Sequence, residues 1–153
     1  VLSNYINFEG ISVLDLFSGT GSISYEFASR GANEIIAVEL NYNHFAFIKR
    51  MSKELGFRNL KVYKTDMFMA CQKLKGRKFD LIFADPPYNL PSIQQVPLSI
   101  FENDLLTENG IAVIEHPASV DYSALPYFYE RRKYGSVNFS LFRKKAPGNS
   151  CEE

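Results

Sequence analysis

Ile11-Ser12-Val13-Leu14-Asp15-Leu16-Phe17-Ser18-Gly19-Thr20-Gly21-Ser22 is an apolar run that ends in a Gly-x-Gly turn and opens into an amphipathic stretch. The run reads as a strand over 11–16 and the stretch beyond the turn as a helix over 22–30. A Gly-x-Gly turn at such a junction lets a ligand approach the backbone closely, beside the free N–H groups of a helix N-terminus. The alternation continues outward from this point. Periodicity predicts strands over 34–39, 60–63, 79–84 and 111–115, and helices over 43–55, 68–74 and 93–106. Gly31, Gly56, Gly76 and Gly110 bound these runs and suit helix C-caps and tight turns. Nearly continuous apolar strands alternating with helices imply an α/β fold, a mostly parallel sheet with helices on both faces. Beyond residue 115 the pattern changes: 127–134 and 136–142 are strand-like, hinged at Gly135, and predict an antiparallel hairpin appended to that sheet.

The 153 residues are 46% hydrophobic with only 7 prolines and 9 glycines, which suits one compact domain over 1–145 followed by a polar, disordered tail over 146–153. Val1-Leu2-Ser3-Asn4-Tyr5-Ile6 reads as the end of an amphipathic helix, and there is no initiator Met, so a natural N-terminal segment is expected to precede this chain. No apolar run reaches the length of a membrane span, and no signal peptide is visible. Cys71 and Cys151 offer neither a disulfide framework nor a metal-ligand spacing, and a cytoplasmic location is expected. The net charge is zero, so no global field points to a polyanionic partner. Local basic clusters at Arg131-Arg132-Lys133, at Arg143-Lys144-Lys145 and among Lys73, Lys75, Arg77 and Lys78 read as solvated faces.

Acids stand at or just after the ends of successive strands. Glu39 closes the second strand, about twenty residues after the glycine turn, where an acid hydrogen-bonds ribose hydroxyls in nucleotide-type folds. Asp66 closes the third strand, placed to meet an adenine amine with Met67 or Phe68 against the ring, although it is equally placed to cap the next helix. The fourth strand, Phe79-Asp80-Leu81-Ile82-Phe83-Ala84, runs into Asp85-Pro86-Pro87-Tyr88. Proline has no N–H and a fixed φ, so the Asp85 carboxylate and the proline carbonyls form a rigid set that only accepts hydrogen bonds, with the Tyr88 ring beside it. That set suits a planar group bearing –NH₂, such as a nucleobase amine. The same four residues also suit a proline-rich turn in which Asp85 caps a helix and Tyr88 packs. The glycine turn and the strand-end acids favour the first reading, because open α/β sheets bind ligands at this edge, near the topological switch point.

D-L-F-S-G-T-G-S, V-E-L-N, T-D-M-F and A-D-P-P-Y, in this order, resemble the class I S-adenosylmethionine-dependent methyltransferases. Within that class the chain is most similar to the RsmD-like enzymes, which methylate the exocyclic amine of a guanine in small-subunit ribosomal RNA. Tyr134-Gly135-Ser136 followed by Asn138-Phe139-Ser140-Leu141-Phe142 resembles the closing hairpin of that family. The resemblance implies a Rossmann-like methyltransferase fold and S-adenosylmethionine as cofactor. It also implies a cofactor site of Asp15, Phe17, Gly19, Gly21, Glu39, Leu40, Asp66 and Met67, with Glu39 on the ribose and Asp66 and Met67 on the adenine. Asp85, Pro86, Pro87 and Tyr88 would then hold the target base, and no metal is called for. The partner implied is ribosomal RNA or a partly assembled small subunit, met by a monomer. Family members carry an N-terminal segment that helps close the cofactor and RNA sites, which the stub over 1–8 does not supply.

Other classes fit less well. A nicotinamide-dependent oxidoreductase shares the glycine turn and the strand-two acid but has no use for D-P-P-Y. His44 and His116 read as a helix-surface residue and a turn residue before Pro117, not as a hydride relay. A non-catalytic nucleic-acid-binding module needs the basic clusters but not the acids. DNA adenine-N6 methylation is the nearest rival, since D-P-P-Y serves adenine and guanine amines alike; the chain lacks an insertion large enough for a DNA target-recognition domain.

Overall fold

The computed structural model describes residues 9–144; the expected helix end at 1–6 and the polar tail at 146–153 lie outside the described residues. The elements follow in the order β1 (Ser12–Leu16), α1 (Ser22–Ser29), β2 (Glu34–Glu39), α2 (Tyr42–Leu55), β3 (Leu60–Lys64), α3 (Met67–Lys73), β4 (Phe79–Ala84), α4 (Gln95–Glu102), β5 (Leu106–His116), β6 (Phe128–Tyr134) and β7 (Val137–Phe142). They build one seven-stranded sheet of order β3-β2-β1-β4-β5-β7-β6. The first five strands are parallel, and β7 joins β5 antiparallel with β6 outside it, as the hairpin reading predicts.

Parity along the strands sorts the core into two layers. Val13, Ile35, Leu81 and Val113 meet Phe27 of α1 and Ile48 of α2. Leu14, Ile36, Ile82 and Ala112 point the other way, onto Met67 and Ala70 of α3 and Val96 and Ile100 of α4. Right-handed crossovers account for this division. The chain moves outward from β1 to β3 with its helices on one face, then returns to β4 and β5 with its helices on the other. The reversal falls between β1 and β4, which are neighbours. Their C-terminal ends therefore diverge into loops on opposite faces and leave a crevice.

Three sequence expectations are corrected here. The fourth helix stops at Glu102, not at 106, because Leu105 and Leu106 are fully buried and Leu106 already pairs with Phe79 of β4. Pro97 is accommodated because it sits in the first turn of α4, where its missing N–H is not needed. Gly110 is not a turn or cap but an interior residue of β5. A Cβ there would lie 3.0 Å from the Asp80 carbonyl oxygen and 2.8 Å from Thr107 Oγ1, beside an irregularity in the β4–β5 pairing. His116 is not a turn residue: it ends β5, fully buried, its Nε2 2.7 Å from Ser140 Oγ and its Nδ1 2.9 Å from the Pro117 carbonyl oxygen.

Candidate active site

Asp15 anchors the loop that leaves β1. It is buried beneath the glycine turn, where Oδ2 accepts from Ser24 Oγ at 2.6 Å and its carbonyl accepts from Ser18 Oγ at 2.8 Å. Burial pushes its carboxyl up to about 7; the serine hydroxyls oppose this, and the charges of Asp85 and Glu39 add to it. Phe17 takes φ 61°, a left-handed conformation rare for a side chain of this size, and so turns its ring toward the strand edge. Gly21 has φ 89°, and a Cβ on it would fall 2.9 Å from Tyr25 Cζ and 3.0 Å from an Ile48 carbon, so the turn admits glycine alone.

Glu39 closes the loop from the other side. Its Oε1 accepts from the Gly19 N–H at 2.6 Å and its Oε2 from the Asn41 N–H at 2.9 Å. The strand-two acid thus clamps the glycine turn to the end of β2. Capping of α2 falls instead to Asn41, whose Oδ1 accepts from the His44 N–H. Asp66 does cap its helix: Oδ1 accepts from the N–H groups of Phe68 and Met69 at 2.8 and 2.9 Å.

A cleft of about 480 Å³ opens along this edge. Phe17, Glu39, Leu40 and Asn41 line it from the ends of β1 and β2, Thr65 to Phe68 from the end of β3, and Pro87 and Leu90 from beyond β4. It therefore gathers Phe17, Glu39, Leu40, Asp66, Met67 and Pro87 around one space. Asp15, Gly19 and Gly21 do not line it and belong to the loop that leaves β1. Asn41, Thr65 and Leu90 are lining residues that strand-end reasoning did not single out.

Asp85 emerges exposed from the buried β4, followed by buried Pro86, exposed Pro87 and Tyr88, which is 51% exposed. The Pro87 carbonyl accepts from the Leu90 N–H at 3.0 Å, so the acceptor set offered to a ligand narrows to the Asp85 carboxylate and the Pro86 carbonyl. The Tyr88 hydroxyl donates to Oε2 of Glu115 at 3.3 Å. Loss of hydration and the charge of Glu115 raise the Asp85 carboxyl to about 6. Glu115 ends the apolar run over 111–115 as Glu39 ends the run over 34–39, and that position is its signal in the sequence. Among the described residues no cation forms an ion pair with Asp15, Asp85 or Glu115.

The basic clusters lie elsewhere, and several of their members are engaged within the fold. Arg131 donates to the carbonyls of Val120 and Ala118 and to Asn138, Arg132 pairs with Glu130, Arg77 with Glu34, and Lys78 and Lys144 both with Asp104. No helix among the described residues is long and apolar enough to cross a membrane.

The family model described as Conserved hypothetical protein 95 matches residues 1–143. Ribosomal RNA small subunit methyltransferase D of Buchnera aphidicola subsp. Baizongia pistaciae is 26% identical over 148 residues, covering 92% of this chain and 75% of that protein. Among solved structures, a conserved hypothetical protein of Streptococcus pyogenes is 28% identical with a TM-score of 0.77, covering 93% of this chain and 89% of its own. The methyltransferase SMU.776, solved with S-adenosylhomocysteine, shares the fold at a TM-score of 0.72 and 17% identity, over 88% of this chain and 45% of its own.

Proposed function

Because the chain belongs to the family described as Conserved hypothetical protein 95, RsmD-like class I methyltransferases, we propose that it transfers a methyl group from S-adenosylmethionine to the exocyclic amine of a guanine in small-subunit ribosomal RNA. The observation that carries the reading is the acceptor-only pair of Asp85 and the Pro86 carbonyl beside the exposed Tyr88 ring, at the edge that also holds the cleft. The named relative acts on small-subunit ribosomal RNA, and the proposed partner is that RNA or a partly assembled subunit, met by a monomer in the cytoplasm.

The cleft suits an adenosyl group. Its apolar lining of Phe17, Val38, Leu40 and Met67 matches a flat ring; Asp66 keeps Oδ2 for the adenine amine, and each Glu39 oxygen, already accepting one backbone N–H, has a second lone pair for a ribose hydroxyl. When bound, S-adenosylmethionine supplies an electrophilic methyl: the C–N bond forms as the S–C bond breaks, and the bonding pair stays on sulfur. The protein's part is alignment and electrostatics. An aromatic amine is a poor nucleophile because its lone pair is delocalised into the ring. Asp85 and the Pro86 carbonyl, accepting both N–H bonds, favour a more tetrahedral nitrogen and stabilise the positive charge it gains. The surplus proton then leaves to Asp85 or to water. Tyr88 stacks on the unpaired base, a contact worth about 1–3 kcal/mol.

Two measurements test this. Titration calorimetry should show S-adenosylmethionine binding and NAD silent, with Glu39→Ala weaker by about 1–3 kcal/mol; tight NAD binding would end the reading. Mass spectrometry of nucleosides from small subunits of a deletion strain, treated with the protein, should show N2-methylguanosine. Methyladenosine in DNA instead would move the assignment to the adenine rival.

A further inference from the structure

Ala84 of β4 pairs with Ile114 of β5, so Asp85, the first residue past β4, and Glu115, still within β5, follow side by side on neighbouring parallel segments. Glu115 is half-buried, and its Oε2 is occupied by the Tyr88 hydroxyl. Its Oε1 has no hydrogen-bond partner among the described residues. A second carboxylate thus stands beside the one assigned to the target amine, fixed by the same ring on which the base stacks. The charge of Glu115 reaches Asp85 strongly enough to raise its pKa.

The chemistry of the bases gives this arrangement a consequence. Guanine carries a donor, N1–H, next to its 2-amine. In adenine and cytosine the ring nitrogen next to the amine on that edge is an acceptor, N1 or N3. Two neighbouring carboxylates match a donor pair and repel a donor next to an acceptor, which is discrimination by an unpaired charge as well as by a gained contact. We propose that Glu115 is the specificity-determining residue of the site, accepting the N1–H of guanine while Asp85 and the Pro86 carbonyl hold the 2-amine. The inference rests on the guanine reading above and adds the residue that enforces it.

The test uses the full chain and the ribosomal RNA in which mass spectrometry has located the methylated nucleotide. That RNA is rebuilt with 2-aminopurine at the target, which keeps the 2-amine but presents N1 as an acceptor. Wild type should methylate the guanosine RNA with a kcat/KM roughly 10- to 100-fold above the 2-aminopurine RNA. Glu115→Gln can turn its amide and donate to N1 of 2-aminopurine, so the ratio should collapse toward unity or invert. Tyr88→Phe, which removes the hydroxyl bound to Glu115, should lower both rates and keep the ratio. Equal rates of wild type on both RNAs overturn the proposal without any variant, and so does a Glu115→Gln protein with the wild-type ratio. A methylated nucleoside other than guanosine in the first step, or none, rejects instead the reading on which the proposal stands.

Discussion

At the level of single residues the site is a set of carboxylates, of which Asp15, Asp85 and Glu115 have no cation paired to them among the described residues. For Asp85 the consequence is a pH profile. Burial and the charge of Glu115 push its carboxyl up to about 6 in the free protein, and only the ionised form accepts both the hydrogen bond and the proton, so kcat/KM should fall as the pH drops through about 6. Asp85→Ala should remove most of kcat while cofactor affinity stays near wild type, and Asp85→Asn should retain more than Ala because one acceptor oxygen survives. Single-turnover rates beside thermal melts decide it, since a purely structural turn would make the rate losses track the melting losses. Asp15 carries the opposite kind of information. Its folded-state carboxyl lies near 7 against about 3.9 in an unfolded chain. The stabilising contribution of the neutral form is full below the unfolded value and is lost as pH rises through about 7. Asp15→Asn keeps the shape and the acceptor for Ser24 but cannot ionise, so it should melt above wild type at pH 8, with the difference shrinking toward pH 5. His116, whose pKa burial lowers, destabilises as pH falls below the usual histidine range. That contribution is common to both proteins and cancels in the comparison.

At the level of elements, β5 does more than its central apolar run implies. It begins five residues earlier than expected, at Leu106, and carries Glu115 and His116 at its far end. Its start passes Asp80, whose Oδ2 accepts from the Ser12 N–H and whose Oδ1 accepts from Thr107 Oγ1, tying β1, β4 and β5 together at the edge remote from the site. Gly110 fits into this junction because it lacks a Cβ. Gly110→Ala should therefore destabilise by about 1–3 kcal/mol through overpacking, read as a lower urea midpoint at unchanged slope. A normal midpoint would mean that the junction yields at no cost. The hairpin strand β6 forms the sheet edge, and its Glu130-Arg131-Arg132-Lys133 segment is what an exposed edge needs to resist pairing with another chain.

For the whole molecule, one sheet supports both core layers: β1, β2, β4, β5 and β7 give side chains to each, and only the edge strand β3 serves a single layer, through Leu60 and Val62. Loss of the sheet removes the partner of α1 and α2 and of α3 and α4 together. Urea unfolding followed by far-ultraviolet circular dichroism and by tyrosine fluorescence should give coincident single transitions. Two separated transitions would show that the layers are energetically independent. The near balance of charge acts at this scale too. Arg77, Lys78, Arg132 and Lys144 are paired with carboxylates within the fold, so the positive charge on these side chains is locally balanced.

What the sequence by itself determined was everything local in its cause: the order and kind of the elements, the parallel arrangement that continuous apolar strands require, the glycine turn after β1 and the acceptor character of Asp85-Pro86-Pro87-Tyr88. Each of these follows from periodicity or from the covalent chemistry of neighbouring residues. Only the tertiary structure decided that Glu39 clamps Gly19, that Asp66 gives one oxygen to its helix, that the Pro87 carbonyl is consumed by Leu90, that His116 is buried against Ser140 and that Glu115 stands beside Asp85. These depend on which side-chain and backbone atoms meet once the chain has folded. The β4–β5 register, which aligns residues thirty apart, is fixed by packing of whole strands and leaves no mark in the local pattern.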